Sequence, residues 1–131
     1  TDLRRRAQPV IRVRLDDLIE PDPPCPCGSP RLAIRPVEGR FGDIWRQGEV
    51  QIFPREIETA LEAVLPPFAS WRAEASATGV RAFVADVQDQ APVHVAIETL
   101  LAARGLSWPV TVQVADQVET RPKRRRVRWI S

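Results

Sequence analysis

Five prolines fall within ten residues (Pro21, Pro23, Pro24, Pro26 and Pro30), and no other feature restricts this chain as much. Each removes a backbone N–H and fixes one backbone angle. The run Glu-Pro-Asp-Pro-Pro-Cys-Pro-Cys-Gly-Ser-Pro over 20–30 can therefore neither hold a helix nor donate a sheet ladder. It reads as a rigid, polar loop that separates a short N-terminal piece from a longer C-terminal one. A second break follows at Glu38-Gly39-Arg40-Phe41-Gly42-Asp43, where two glycines three apart make a natural pivot.

On either side of these breaks the apolar residues are periodic. Val10, Ile11, Val13 and Leu15 are interrupted by Arg12 and Arg14, the mostly alternating pattern of a short strand. Arg31 to Val37 can be extended. Beyond the pivot, Ile44-Trp45 and Val50 to Phe53 can pair as a hairpin around Gln47-Gly48-Glu49. Pro54 opens a helix where its missing N–H costs nothing. Ile57, Leu61, Val64 and Leu65 recur at helical spacing, Glu56, Glu58 and Glu62 take the polar side, and Pro66-Pro67 ends the helix. Ser70 to Ala77 and Gly79 to Val87 read as paired strands joined at Thr78-Gly79. A second helix runs from about Pro92 to Arg104 and is closed by Gly105. Val110, Val112 and Val114 alternate strictly; 116–126 is polar, basic and loop-like; Val127 to Ile130 can be a last short strand. Two helices among mainly antiparallel strands predict a small α+β domain.

Composition removes several function classes. The chain has 131 residues, 44% of them hydrophobic, enough for a packed core. A formal net charge of +2 gives no global field toward nucleic acid or membrane, and no apolar run is long enough to span a bilayer. The cations sit at the two ends, in Arg4-Arg5-Arg6 and in Lys123-Arg124-Arg125-Arg126. The chain begins at Thr1 and contains no Met, as a piece of a longer product would. Nearly every cation is Arg, so the single Lys123 stands out. Arg does not replace a compact ammonium that must meet a small oxyanion.

The only cysteines, Cys25 and Cys27, are one residue apart. Such a pair cannot easily close an unstrained disulfide, and a disulfide-stapled secreted fold is excluded by the count. A reducing cytoplasm is the simpler setting. The pair could be half of a zinc site, since thiolates suit tetrahedral zinc, but four ligands are needed. Two unmetallated cysteines in a rigid turn explain the same residues.

Five stretches, in order, together resemble the phenylacetate–CoA ligase group of the adenylate-forming superfamily. They are Arg6-Ala7-Gln8-Pro9-Val10-Ile11-Arg12-Val13-Arg14-Leu15-Asp16-Asp17, Cys25-Pro26-Cys27-Gly28, Glu38-Gly39-Arg40-Phe41-Gly42-Asp43-Ile44, Ile52-Phe53-Pro54-Arg55-Glu56-Ile57-Glu58, and Lys123-Arg124-Arg125-Arg126-Val127. Each is weak alone; their order and their spread over almost the whole chain carry the likeness. The resemblance implies that residues 1–38 end the large adenylate-forming domain and that 39–131 are a C-terminal lid. It also implies an AMP-forming acyl- or aryl-CoA ligase, which takes ATP with magnesium, a carboxylic acid and then CoA.

The resemblance also assigns roles. Lys123 matches the lid lysine placed on carboxylate and phosphate oxygens during adenylation, where an ammonium stabilises developing charge. Asp17 matches the aspartate that accepts hydrogen bonds from the ATP ribose hydroxyls, a vicinal diol that a carboxylate can hold with both oxygens. Arg40 matches a hinge arginine that reaches toward the nucleotide. Gly42 falls at the pivot, where relatives carry Asp or Lys. Gly48 resembles a glycine that lets CoA pass, although a plain hairpin glycine explains it equally well. The sequence departs from the family at Asp16, a family glycine, at Val13, a family tyrosine, and at Arg121-Pro122 in place of Ser-Gly. A non-catalytic interaction module, or a nucleic-acid-binding module using the basic ends and Trp129, is the competing reading. The identity of the acid is not written in this stretch of sequence.

Overall fold

The computed structural model describes residues 16–118 and 126–130. The strand expected over Val10 to Leu15, the run Arg4 to Arg6, and Lys123 with its immediate neighbours lie outside the described residues. The elements are β1 (Trp45–Gln47), β2 (Val50–Ile52), α1 (Pro54–Glu62), β3 (Ser70–Ser76), β4 (Gly79–Ala85), α2 (Ala91–Ala103), β5 (Val110–Val114) and β6 (Val127–Trp129), preceded by a 3-10 turn over Phe41–Asp43. Among the described residues the fold is α+β, with two helices and two sheets.

The larger sheet has the order β5-β4-β3-β6. Its centre is the antiparallel β3–β4 hairpin, from Ser70 opposite Ala85 to Ser76 opposite Gly79. The expectation of mainly antiparallel strands holds for this hairpin and for β1–β2. The two flanking strands depart from it: β5 runs parallel to β4 and β6 parallel to β3, so the sheet is mixed. The reason lies in the connection. A strand that returns through a helix, as β4-α2-β5 does, comes back in the same direction, whereas a two-residue turn reverses the chain.

Alternation in the central hairpin explains the layers. Trp71, Ala73, Ala75, Val80, Ala82 and Val84 are buried on one face and share a core with Ile57 and Leu61 of α1 and Val93, Ile97 and Leu101 of α2. Small alanines at the centre of that face let the helices approach closely. On the opposite face Glu74 is also buried, held between Arg72 at 3.0 Å and Arg81 at 3.9 Å. The Arg72 guanidinium lies 4.6 Å from the centre of the Phe83 ring across the strand pair. A nearly dry carboxylate needs such partners.

Local signals set the helix ends. The Glu56 carboxylate accepts the Phe53 N–H at 2.9 Å, and Glu56 N–H donates to the Phe53 carbonyl at 3.0 Å, so the start of α1 is reciprocally bonded. The end of α1 corrects the sequence reading. The helix stops at Glu62, and Val64, expected on its apolar face, is 40% exposed beyond it. Pro66 disfavours the helical region for Leu65, and the last turn tightens, with Val64 N–H on the Leu61 carbonyl at 3.1 Å. At α2 the closure by Gly105 holds. With φ +71, Gly105 donates to the Ala102 carbonyl at 3.0 Å and Leu106 to the Leu101 carbonyl at 2.9 Å, while Leu101 and Leu106 are both buried. Among the described residues, no helix is long and apolar enough to cross a membrane.

Candidate functional site

The two residues matched to nucleotide binding, Asp17 and Arg40, lie 23 positions apart in sequence but face each other as an isolated antiparallel bridge. Leu18 N–H donates to the Gly39 carbonyl at 2.8 Å, and Phe41 N–H donates to the Asp16 carbonyl at 2.9 Å. These two bonds fix the register, and Arg40 Nε stands 3.4 Å from Asp17 Oδ1. Both side chains keep solvent access, at 46% for Arg40 and 28% for Asp17. The pair presents a carboxylate acceptor beside a guanidinium donor. That combination can hold a diol and an anion side by side.

Asp16 has an unusual backbone conformation. Its φ is +56, the left-handed region that glycine enters freely and that aspartate tolerates better than most residues. The bend there turns the chain so that Phe41 can reach back to the Asp16 carbonyl.

The pivot is anchored by a glycine, and that glycine is Gly39. Its φ is +125, and a Cβ built on it would lie 2.6 Å from Pro54 Cγ and 2.7 Å from Pro54 Cβ. Glu38 continues the docking, its carbonyl accepting Arg55 N–H at 3.2 Å in the first turn of α1. The segment leading into Arg40 therefore satisfies one of the open N–H groups at the start of α1. Gly42 differs: it has an ordinary φ, and nothing lies within 4 Å of an added Cβ. The space around it accepts a side chain. Sequence spacing marked both glycines alike; the positive φ of Gly39 and the approach of Pro54 set it apart.

After the pivot, Ile44 and Trp45 are buried, and Trp45 Nε1 donates to the Arg128 carbonyl at 2.8 Å, tying the small hairpin to β6. The Arg46 guanidinium covers the exposed Phe41 ring at 4.3 Å. Gly48 has φ +58 at the first of the two turn residues between β1 and β2, as a II′ hairpin turn requires, with nothing within 4 Å of an added Cβ. The turn alone accounts for this glycine.

Lys123 lies outside the described residues, but Arg126, three positions on, is firmly held. Its carbonyl accepts Ala73 N–H at 2.7 Å, its NH1 stands 3.2 Å from Glu62 Oε1, and its guanidinium is 5.3 Å from the Trp71 ring centre. One of the cations counted toward a basic, nucleic-acid-binding end is thus paired with Glu62 at the surface of the fold.

Cys25 and Cys27 sit at the tip of a hairpin-like loop. The base of the loop is the Pro21–Ile34 bridge, flanked by Asp22 N–H on the Ala33 carbonyl and Arg35 N–H on the Glu20 carbonyl, both at 2.9 Å. Gly28 N–H closes the turn onto the Cys25 carbonyl at 2.9 Å. Both cysteines are free, with sulfurs 2.7 Å apart, Cys27 exposed and Cys25 half-buried. The hydrogen bond with Cys25, reinforced by the Ser29 backbone, lowers the Cys27 thiol from its ordinary value.

A structural zinc needs four ligands, and Cys25 and Cys27 supply two. The chain's one histidine, His94, is engaged elsewhere, with Nε2 3.2 Å from the Val110 carbonyl and Nδ1 3.2 Å from Glu98. Among the described residues, no group of three or more His, Cys, Asp or Glu is placed to hold a metal ion.

No family model matches the chain, and no curated protein matches it. Among solved structures the chain is similar to 2-hydroxyisobutyryl-CoA ligase in the postadenylation state in complex with R3-HIB-AMP, at 19% identity and a TM-score of 0.45. The likeness covers 72% of this chain and 22% of that one, so the chain spans about a fifth of the ligase's length.

Proposed function

We propose that this chain is the C-terminal portion of an AMP-forming acyl- or aryl-CoA ligase of the phenylacetate–CoA ligase kind, with residues 1–38 ending the large domain and 39–131 forming the lid. The observation that carries the reading is the pairing of Asp17 with Arg40 at 3.4 Å across the pivot. Two residues given nucleotide roles by separate motifs are neighbours in space, and one motif lies on each side of the proposed domain boundary. The ordered sequence motifs supply the rest of the support.

In this reading ATP, with its magnesium, and a carboxylic acid meet at the large domain, and the lid closes over them about Gly39 to Gly42. Asp17 accepts the ribose hydroxyls. Arg40, released from or shared with Asp17, turns toward the nucleotide. Lys123 places its ammonium between the attacking carboxylate and the α-phosphate, where negative charge grows as the new bond forms. After adenylation the lid rotates, and the β1–β2 turn at Gly48 borders the path by which the CoA thiol reaches the acyl carbon. Phenylacetate as the acid follows the motif likeness; benzoate-type and indoleacetate-type acids share the same chemistry.

The test uses the full-length ligase that contains this segment. Lys123→Ala should abolish carboxylate-dependent ATP–pyrophosphate exchange, a loss of about 100-fold or more for a group that stabilises transition-state charge. It should leave thioester formation from supplied acyl-adenylate largely intact. Equal loss of both half-reactions refutes the assigned role. The isolated chain should catalyse no exchange at all.

A further inference from the structure

The Cys25-Pro26-Cys27-Gly28 turn takes no part in the proposed ligase chemistry, and among the described residues no further metal ligand joins it. Its geometry suits another two-sulfur reaction. The two thiols are neighbours within hydrogen-bonding distance, so the sulfurs face each other across the turn. The backbone already holds the cysteines in a tight turn, with Pro26 and Cys27 at its centre and Gly28 closing it at φ +75. Bonds at 22–33 and 35–20 fix the base of the loop and keep the two cysteines together at its tip. Cys27 is the exposed member, and Cys25 stands half-buried behind it.

We propose that Cys25 and Cys27 form a reversible dithiol–disulfide site that is oxidised by a small-molecule disulfide such as glutathione disulfide. In the first step the Cys27 sulfur attacks one sulfur of glutathione disulfide. The glutathione S–S bond breaks, a Cys27–glutathione bond forms, and the departing glutathione thiolate takes up the Cys27 proton. In the second step Cys25 attacks the Cys27 sulfur, forms the intramolecular bond and expels the second glutathione, which takes the Cys25 proton. Two protein thiols are oxidised and one glutathione disulfide is reduced to two thiols. Closure across a single intervening residue is strained, so the product is readily reduced again, as a switchable bond should be and a structural one should not.

The test is incubation of the reduced chain with glutathione disulfide, at low protein concentration and without oxygen, followed by thiol counting and intact mass measurement. The wild-type chain should lose both thiols together, emerge two hydrogens lighter without retained glutathione, and recover both thiols on reduction. Cys25→Ser should stop at the first step and retain one glutathione on Cys27. Cys27→Ser should react at least about tenfold more slowly, because the exposed thiol is gone. Unchanged tryptophan fluorescence in both variants keeps folding out of the comparison. Three outcomes would overturn the proposal: glutathione retained by the wild-type chain as by Cys25→Ser, disulfides formed between chains, or a zinc ion that survives purification and blocks both thiols.

Discussion

Gly39→Ala should be among the most damaging single-methyl additions to this chain. Two independent penalties meet at one atom. Gly39 has φ +125, a conformation that a residue with a Cβ rarely adopts, and forcing it costs about 1–3 kcal/mol. The added Cβ would also lie 2.6 Å from Pro54 Cγ, 2.7 Å from Pro54 Cβ and 2.9 Å from Pro54 Cδ. A proline ring has no rotamer with which to retreat, and Pro54 is itself buried at the first position of α1. Relief would require moving the helix start or the Glu38 segment that bonds to it, at the overpacking cost of about 1–3 kcal/mol. The sum is about 2–5 kcal/mol, a large part of the roughly 5–15 kcal/mol that a domain has. Gly42→Ala is the internal control: it has open space and an ordinary φ, so it should stay within about 0.5 kcal/mol of wild type. Urea unfolding followed by tryptophan fluorescence measures both, since Trp45 is fully buried beside the pivot. Pro54→Ala in the Gly39→Ala background removes the Cγ and Cδ clashes but leaves the Cβ contact and the φ strain, so it should restore only part of the loss. If Gly39→Ala and Gly42→Ala unfold at the same urea concentration, the docking of the pivot on α1 is wrong.

The other predictions concern the residues around that pivot and the helix it meets. Asp16→Val should cost about 1–2 kcal/mol, because a β-branched residue is forced to φ +56, whereas Asp16→Asn should cost clearly less; chemical denaturation separates them. Trp45→Phe keeps most of the buried ring but leaves the Arg128 carbonyl without its 2.8 Å donor, and should cost about 1–3 kcal/mol by the same measurement. Glu58 is held above the ordinary glutamate range, first by burial and then by Glu62, with Arg126 and Arg55 opposing. The folded chain therefore holds this proton more tightly than the unfolded chain. Stability from the group is present at low pH and lost as pH rises through the raised value. Glu58→Gln should accordingly raise the melting temperature at neutral pH, and the gain should vanish below the ordinary glutamate range. A gain that persists unchanged at pH 3.5 would refute the assignment.

Much of the secondary structure could be read directly because it depends on short-range rules. Pro54 starts α1 at its first position and Gly105 ends α2 in the left-handed region; the β3–β4 reversal, expected at Thr78-Gly79, falls one residue earlier, at Ala77-Thr78. The misread end of α1 has the same local character: apolar spacing ran on to Val64 and Leu65, but Pro66 limits the backbone before it and the helix closes at Glu62. The site was only half legible. Asp17 and Arg40 were each picked out by a motif, but nothing in either motif says that they stand 3.4 Å apart. Nor does it say that Asp16 must bend left-handed to bring them together.

The sequence by itself determined most of the strands and helices from Trp45 onward and their apolar faces, because one residue's preference and its neighbours' spacing suffice for that. Only the tertiary structure decided the order β5-β4-β3-β6, the parallel course of the two flanking strands, and the distinction between Gly39 and Gly42. Each of these depends on which distant atoms arrive alongside: β6 against β3, Pro54 against Gly39, Arg40 against Asp17. Strand periodicity records that a face will be buried and carries no label for what will cover it.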